Sequence, residues 1–238
     1  MKTSDERNPF DATVACMLSI FTLGYFSIFL CQFIIFRFPA TQEYIPMALS
    51  MIAFGSGVIL WSLCVSSHQA FNVFEVRTAQ EQKNITWCGL LFLIWTAALP
   101  TIVILFPAQP LLQLGYVIVF TIIALGNLPE YAAADKTVTE TPPPRLPIHM
   151  ICVVLLALVP TVHALAEPVT TSSSLATAFG RFVLSSTLGA AVYLFEPFEK
   201  IIVTSNWNPS LHIMHLILVF SLISYSRVVF DEVASRMS

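Results

Sequence analysis

The chain has 238 residues, of which 56% are apolar and only 11% are charged, and its mean hydropathy is +0.78. Soluble domains carry about 25% charged residues, so this composition excludes an ordinary soluble enzyme. The 14 acidic and 11 basic residues give a net charge of −3, which offers no attraction to a phosphate backbone and excludes nucleic-acid binding. The five cysteines lie in apolar runs without a CxxC pair, which predicts neither a disulfide framework nor a cysteine metal site.

Charged residues and prolines divide the chain into seven apolar runs, each of about the length that crosses a bilayer as a helix. The runs are roughly 12–36, 45–66, 86–106, 110–128, 147–166, 174–195 and 211–230. The sequence therefore predicts an all-α bundle of seven transmembrane helices, a membrane domain over 12–230 between short tails at 1–11 and 231–238. The polar, proline-rich stretch 129–147 is predicted to be a flexible loop between the fourth and fifth helices.

Lysines and arginines near the helix ends predict the orientation of the bundle. Seven of them lie on the side of the N-terminus and four lie on the opposite side. Positive charge is enriched on the cytoplasmic side of membrane proteins. We therefore predict a cytoplasmic N-terminus, an extracellular or lumenal C-terminus, and membrane lipids as the partners of this chain.

The predicted topology sorts the five histidines between the two membrane faces. His68, His149, His212 and His215 lie at helix ends on one face, whereas His163 lies on the other. Imidazole is a common metal ligand, and such a residue in a membrane segment is a functional hypothesis. Each histidine can instead meet lipid headgroups or bond a nearby carbonyl, and for His149 this structural role is favoured.

Five stretches carry short motifs in a defined order. They are CVSSHQAFN at 64–72, ITWCGLLFLI at 85–94, VPTVHAL at 159–165, GAAVYLFEPFEK at 189–200 and NPSLHIMHLILVFSLISYSR at 208–227. Together with the helix count and the loop positions, they resemble the progestin and adipoQ receptor family, which includes the hemolysin III proteins. The resemblance runs from the second helix to the end of the chain.

The resemblance implies a zinc ion held by three histidines, one from helix two and two from a His-x-x-x-His of helix seven, beside an aspartate of helix three. Carried over by position, His68 matches the helix-two ligand and His215 the second ligand of helix seven. Leu211 stands at the position of the other histidine, Thr86 at that of the aspartate and Cys64 at that of a helix-two serine. The zinc site that the family implies is thus incomplete here.

A neighbouring histidine leaves a second arrangement open. His212 precedes His215 by three residues, and residues at this spacing are neighbours on a helix surface. A rotated zinc site of His68, His212 and His215 therefore competes with a two-histidine or metal-free site. Cys64, one turn before His68, would be either a soft fourth ligand or, as we favour, a packed thiol.

Two functions follow from these alternatives. The first is a receptor-like or lipid-signalling membrane protein that keeps the family's fold with a degenerate zinc site. The second is a zinc-dependent lipid amidohydrolase, resembling a ceramidase, because zinc with three protein ligands keeps a fourth position for water. Thr86 cannot replace a carboxylate base at neutral pH, so the first function is favoured and no catalytic residue is assigned. A transporter is disfavoured, because no Asp, Glu or Lys lies in the middle of any apolar run.

Overall fold

The computed structural model describes residues 9–37, 44–72, 79–126, 154–166, 173–201 and 209–237. This part of the chain contains α-helices and their connections, and no strand occurs within it. The helices are α1 Pro9–Arg37, α2 Ile45–Asn72, α3 Ala79–Leu105, α4 Pro110–Gly126, α5 Val159–Ala166, α6 Ser173–Phe195, α7 Pro197–Ile201 and α8 Pro209–Met237.

Five of the described helices are long and apolar enough to cross a membrane, as judged by length and composition. The corresponding segments are Thr13–Ile35, Ile45–Leu63, Cys88–Leu105, Ser173–Glu199 and Pro209–Arg236. Two shorter apolar helices, Pro110–Ile123 and Val154–Ala166, lie at the fourth and fifth predicted runs. The all-helical class is confirmed for the described residues. The count of seven spans and the orientation stay predictions, and the loop 129–147 lies outside the described residues.

Both ends of the predicted membrane domain are helical beyond their expected limits. Helix α1 begins at Pro9, and proline suits the first position of a helix because its missing amide hydrogen has no partner there. Helix α8 continues to Met237. Its last turn is stabilised by Arg236, which pairs with Glu232 at 2.9 Å and donates to the carbonyl of Ile104 at 3.0 Å. Residues 231–237 of the predicted C-terminal tail therefore belong to α8.

The relative directions of the helices follow from pairs of contacts. Tyr25 and Phe29 of α1 contact Ser226 and Phe230 of α8, so these two helices run parallel. Helix α1 runs antiparallel to α2, because the Cys16 thiol lies 3.7 Å from the carbonyl of Ser66 whereas Phe26 contacts Phe54 further along. The packing is most extensive between α1 and α2, between α2 and α3, and between α6 and α8.

An aromatic cluster around Tyr225 of α8 forms the centre of the bundle. The Tyr225 ring stacks on Phe182 of α6 at a centroid distance of 5.5 Å and contacts Phe179 at 5.7 Å. It also contacts Phe54 of α2 edge-on at 5.5 Å. All four rings are fully buried, so the cluster joins three helices through one side chain.

The hydroxyl of Tyr225 supports α3 where that helix contains Pro100. Proline has no amide hydrogen, so it removes one backbone hydrogen bond from a helix interior. Tyr225 donates to the carbonyl of Ala97 at 2.7 Å, and its hydroxyl lies 2.5 Å from that of Thr101. Because Tyr225 donates its one proton to Ala97, the Thr101 hydroxyl donates to Tyr225. The buried hydroxyls therefore bond each other and the backbone beside the proline.

Candidate functional site

The N-terminal end of α8 is held by a carboxylate from the preceding short helix. Glu196 has a positive φ of 46° and turns the chain between α6 and α7. Glu199 of α7 then accepts a hydrogen bond from the backbone N–H of Ser210 at 2.9 Å and a second one from the Ser210 hydroxyl. A carboxylate in this position satisfies a free amide and complements the positive end of the helix dipole. This contact fixes the turn of α8 that carries the two histidines.

His212 and His215 are both buried, each with 4% of its surface exposed. The Nδ1 atom of His215 lies 2.9 Å from the carbonyl of Leu211. A carbonyl can only accept, so Nδ1 carries the hydrogen, and in the neutral ring the lone pair is on Nε2. A ring held in this way is the usual form of a histidine that binds a metal through Nε2. Leu211 itself is half-buried, and its side chain has no atom that binds a metal.

Helix contacts give the depth of the predicted helix-two ligand. Cys16 of α1 lies against Ser66 of α2, and the two helices are antiparallel. His68, two residues after Ser66, is therefore level with position 14 of α1, two residues before Cys16. The parallel contacts between α1 and α8 put His215 at this level too. His68 lies in α2, but its side chain is outside the described part of the chain, so the predicted zinc site that His68 and His215 share stays a prediction.

The other two near-site positions lie in described helices at a similar depth. Cys64 belongs to α2 and Thr86 to α3. The antiparallel contact of Gly89 with the Trp61 indole puts Thr86 near the level of Cys64, one turn from His68. The side chains of Cys64 and Thr86 lie outside the described part of the chain, as does the whole of His149.

Metal-binding chemistry is limited among the side chains that the structure describes. Within them, no three His, Cys, Asp or Glu residues lie close enough together to hold a metal ion. The buried imidazoles of His212 and His215 would be two of the three ligands that the predicted zinc site requires. The zinc ion stays a prediction that depends on His68.

His163 lies at the opposite end of the bundle, as the topology predicts. Its Nδ1 atom is 2.6 Å from the hydroxyl of Tyr116, and its ring lies 5.3 Å from that of Phe106. Gln113 donates to the carbonyls of Val103 and Phe106 nearby and caps the end of α3. Sequence reasoning did not find this cluster, which joins α3, α4 and α5 through ring packing and hydrogen bonds.

Comparison of the chain with protein-family models, with curated proteins and with solved structures found no match.

Proposed function

We propose that this protein is a multi-pass membrane protein with a receptor-like or lipid-signalling function, built on the plan of the progestin and adipoQ receptor family with a degenerate zinc site. The observation that carries the proposal is the histidine-bearing turn of α8. Two buried imidazoles are held there by the contact of Glu199 with Ser210. Leu211 stands beside them at the position where the resemblance implies the first histidine of the helix-seven pair.

The absence of a metal ligand at 211 and of a carboxylate base at 86 favours signalling over hydrolysis. A leucine at 211 cannot ligate a metal, and a threonine at 86 cannot act as a carboxylate base. A bundle that keeps its packing but lacks these groups still responds to a ligand if the ligand binds one conformation better than another. Receptor-like function therefore needs the fold and a ligand that binds one of its conformations better, whereas hydrolysis needs the complete zinc site.

A zinc-dependent lipid amidohydrolase is the second candidate function. It is favoured by the ring orientation of His215, whose Nδ1 donates to Leu211 and whose Nε2 is the atom for a ligand. In that case His212 would provide the second ligand and His68 the third. A zinc ion would supply Lewis-acid chemistry to a lipid amide.

Zinc analysis of the purified protein distinguishes the two functions. The native chain, His68→Ala, His215→Ala and the matched control His163→Ala would be compared by elemental mass spectrometry. We expect well under one zinc per native chain and no further loss in the variants. About one zinc per chain, retained in His163→Ala but absent from the other two variants, would overturn the degenerate site and favour the hydrolase.

A further inference from the structure

Two arginines lie on the outer surface of the bundle within segments that are apolar enough to cross a membrane. Arg181 of α6 and Arg227 of α8 are both exposed, and they fall inside the segments Ser173–Glu199 and Pro209–Arg236. A charge that faces lipid is costly unless it reaches the headgroups or a partner. Such residues therefore indicate where the protein meets polar groups of the bilayer.

The two arginines lie at nearly the same depth on neighbouring helices. The stacked rings of Phe182 and Tyr225, with Phe179 on the same ring, fix the register of α6 against α8. Arg181 lies between the two phenylalanines in sequence, and Arg227 follows Tyr225 by two residues. With a rise of about 1.5 Å per residue, the two Cα atoms differ in height by only about 4 Å.

Both arginines also lie on the lipid-facing side of their helices. On each helix the exposed residues recur every three or four positions, which defines one stripe along the helix. The stripes contain Thr177, Arg181, Leu184 and Leu188 on α6, and Phe220, Ser224, Arg227 and Asp231 on α8. Since α6 and α8 pack together, the two stripes are adjacent on the outside of the bundle.

Small residues lie on the surface between the two arginines. Ser224 is exposed on α8, level with Arg181, and Ala178 is half-buried on α6, level with Arg227. These short side chains leave space for a polar group of a ligand to approach both guanidinium groups. Along the helices, Leu184 and Phe220 follow the arginines in the direction of the N-terminal end of α8, and both are exposed. The acyl chains of such a ligand would lie against them.

The net charge of this surface is positive. Among the described residues neither arginine forms an ion pair, and Glu232 is engaged by Arg236 on α8. Asp231, one turn beyond Arg227, is the exposed acidic residue of the stripe on α8. Two guanidinium groups against one carboxylate leave a net positive charge, which attracts an anion.

We propose that Arg181 and Arg227 bind the phosphate of an anionic phospholipid in the leaflet where α8 ends. A guanidinium group presents paired N–H donors that match phosphate oxygens. Both arginines lie within segments apolar enough to cross a membrane, where the phosphate that a guanidinium group can reach belongs to lipid headgroups, and the exposed apolar residues beside them match acyl chains. This lipid site is independent of the histidines, which lie at the other end of α8.

Native mass spectrometry with phosphatidylglycerol and phosphatidylcholine tests the proposal. We expect the native protein to prefer phosphatidylglycerol, and Arg181→Gln and Arg227→Gln each to lower its affinity about five-fold, with about 25-fold in the double variant. Asp231→Asn is a control with the opposite expected effect: it removes the negative charge beside Arg227 and should raise the affinity for phosphatidylglycerol. Gly24→Ala, on the exposed face of α1, should leave it unchanged.

Two further measurements separate a bound phospholipid from soluble phosphate and from an effect on stability. The double Arg→Lys variant keeps both charges and should retain more phosphatidylglycerol binding than the double Gln variant, whether or not the latter is less stable. Equal binding of phosphatidylglycerol by the native protein and the double Gln variant would overturn the proposal. Displacement of the lipid by millimolar inorganic phosphate would show that the ligand is soluble phosphate and would overturn the assignment to a phospholipid.

Discussion

Replacing Gly57 by alanine tests a close approach between α2 and α3. A Cβ atom added at Gly57 would lie 2.4 Å from Cγ2 and 2.8 Å from Cβ of Thr96 on α3. Contacts this short require the two helices to move apart. Thr96 is held in place, because its hydroxyl donates to the carbonyl of Leu93 at 2.9 Å and its side chain is buried.

The expected loss of stability is the difference between two effects. Overpacking of a filled core costs about 1–3 kcal/mol, whereas alanine in place of glycine gains about 1 kcal/mol in helix propensity. Gly57→Ala should therefore lower the free energy of unfolding by up to about 2 kcal/mol. Gly24 of α1 has nothing within 4 Å of an added Cβ, so Gly24→Ala should show the propensity gain alone.

Thermal unfolding of both variants in one detergent, followed by circular dichroism, measures these effects. About 1 kcal/mol corresponds to roughly 2–4 °C in Tm for a chain of this size, so the two variants should move in opposite directions. Thr96→Ala should partly rescue Gly57→Ala, because it removes the atom at 2.4 Å but leaves Cβ at 2.8 Å. A Gly57→Ala variant as stable as Gly24→Ala would refute the proposed contact between α2 and α3.

Four further predictions address other parts of the molecule. Tyr225→Phe should lower the free energy of unfolding by about 1 kcal/mol, more than the control Tyr25→Phe in the same melt, and equal effects would contradict the role of the buried hydroxyl. Glu199→Gln should lower the free energy of unfolding by about 1 kcal/mol, as measured by chemical unfolding, and Ser210→Ala in the same background should then add little. An unchanged stability of Glu199→Gln would contradict the role of Glu199 as the cap of α8. Reporter tags should place the two termini on opposite membrane sides, and tags on the same side would exclude an odd number of spans. Leu211→His should raise zinc affinity in calorimetry, because it restores a histidine pair at four-residue spacing; unchanged affinity that is lost in His212→Ala would instead make His212 a ligand.

The positions of the helices could be predicted from local composition. The thickness of the hydrocarbon core fixes the length of an apolar run that crosses it, and prolines and charges end such runs. Helices α2, α3, α6 and α8 accordingly cover the second, third, sixth and seventh runs within a few residues, apart from extensions at their ends. The extension of α8 to Met237 was not predicted, because it depends on the contact between Arg236 and α3.

The candidate site was predictable in part. The spacing in the sequence predicted His212 and His215 as neighbouring candidate ligands, and the motif stretches 189–200 and 208–227 contain Glu199 and Ser210, which the structure joins by hydrogen bonds. The burial of the histidines was not predictable, because neither residue type nor spacing tells which face of an apolar helix points into a bundle. The side-chain positions of His68 and Thr86 stay predictions.

The sequence by itself determined that this chain is helical and apolar enough for a membrane, because hydrophobic length and backbone hydrogen bonding act within each segment. Only the tertiary structure decided which faces meet. Helix α3 is apolar on nearly all sides over 88–105, so its sequence does not distinguish the side that contacts Gly57 from the side that contacts Tyr225. Van der Waals fit and the pairing of buried hydroxyls select that arrangement, and both depend on atoms far apart in the chain.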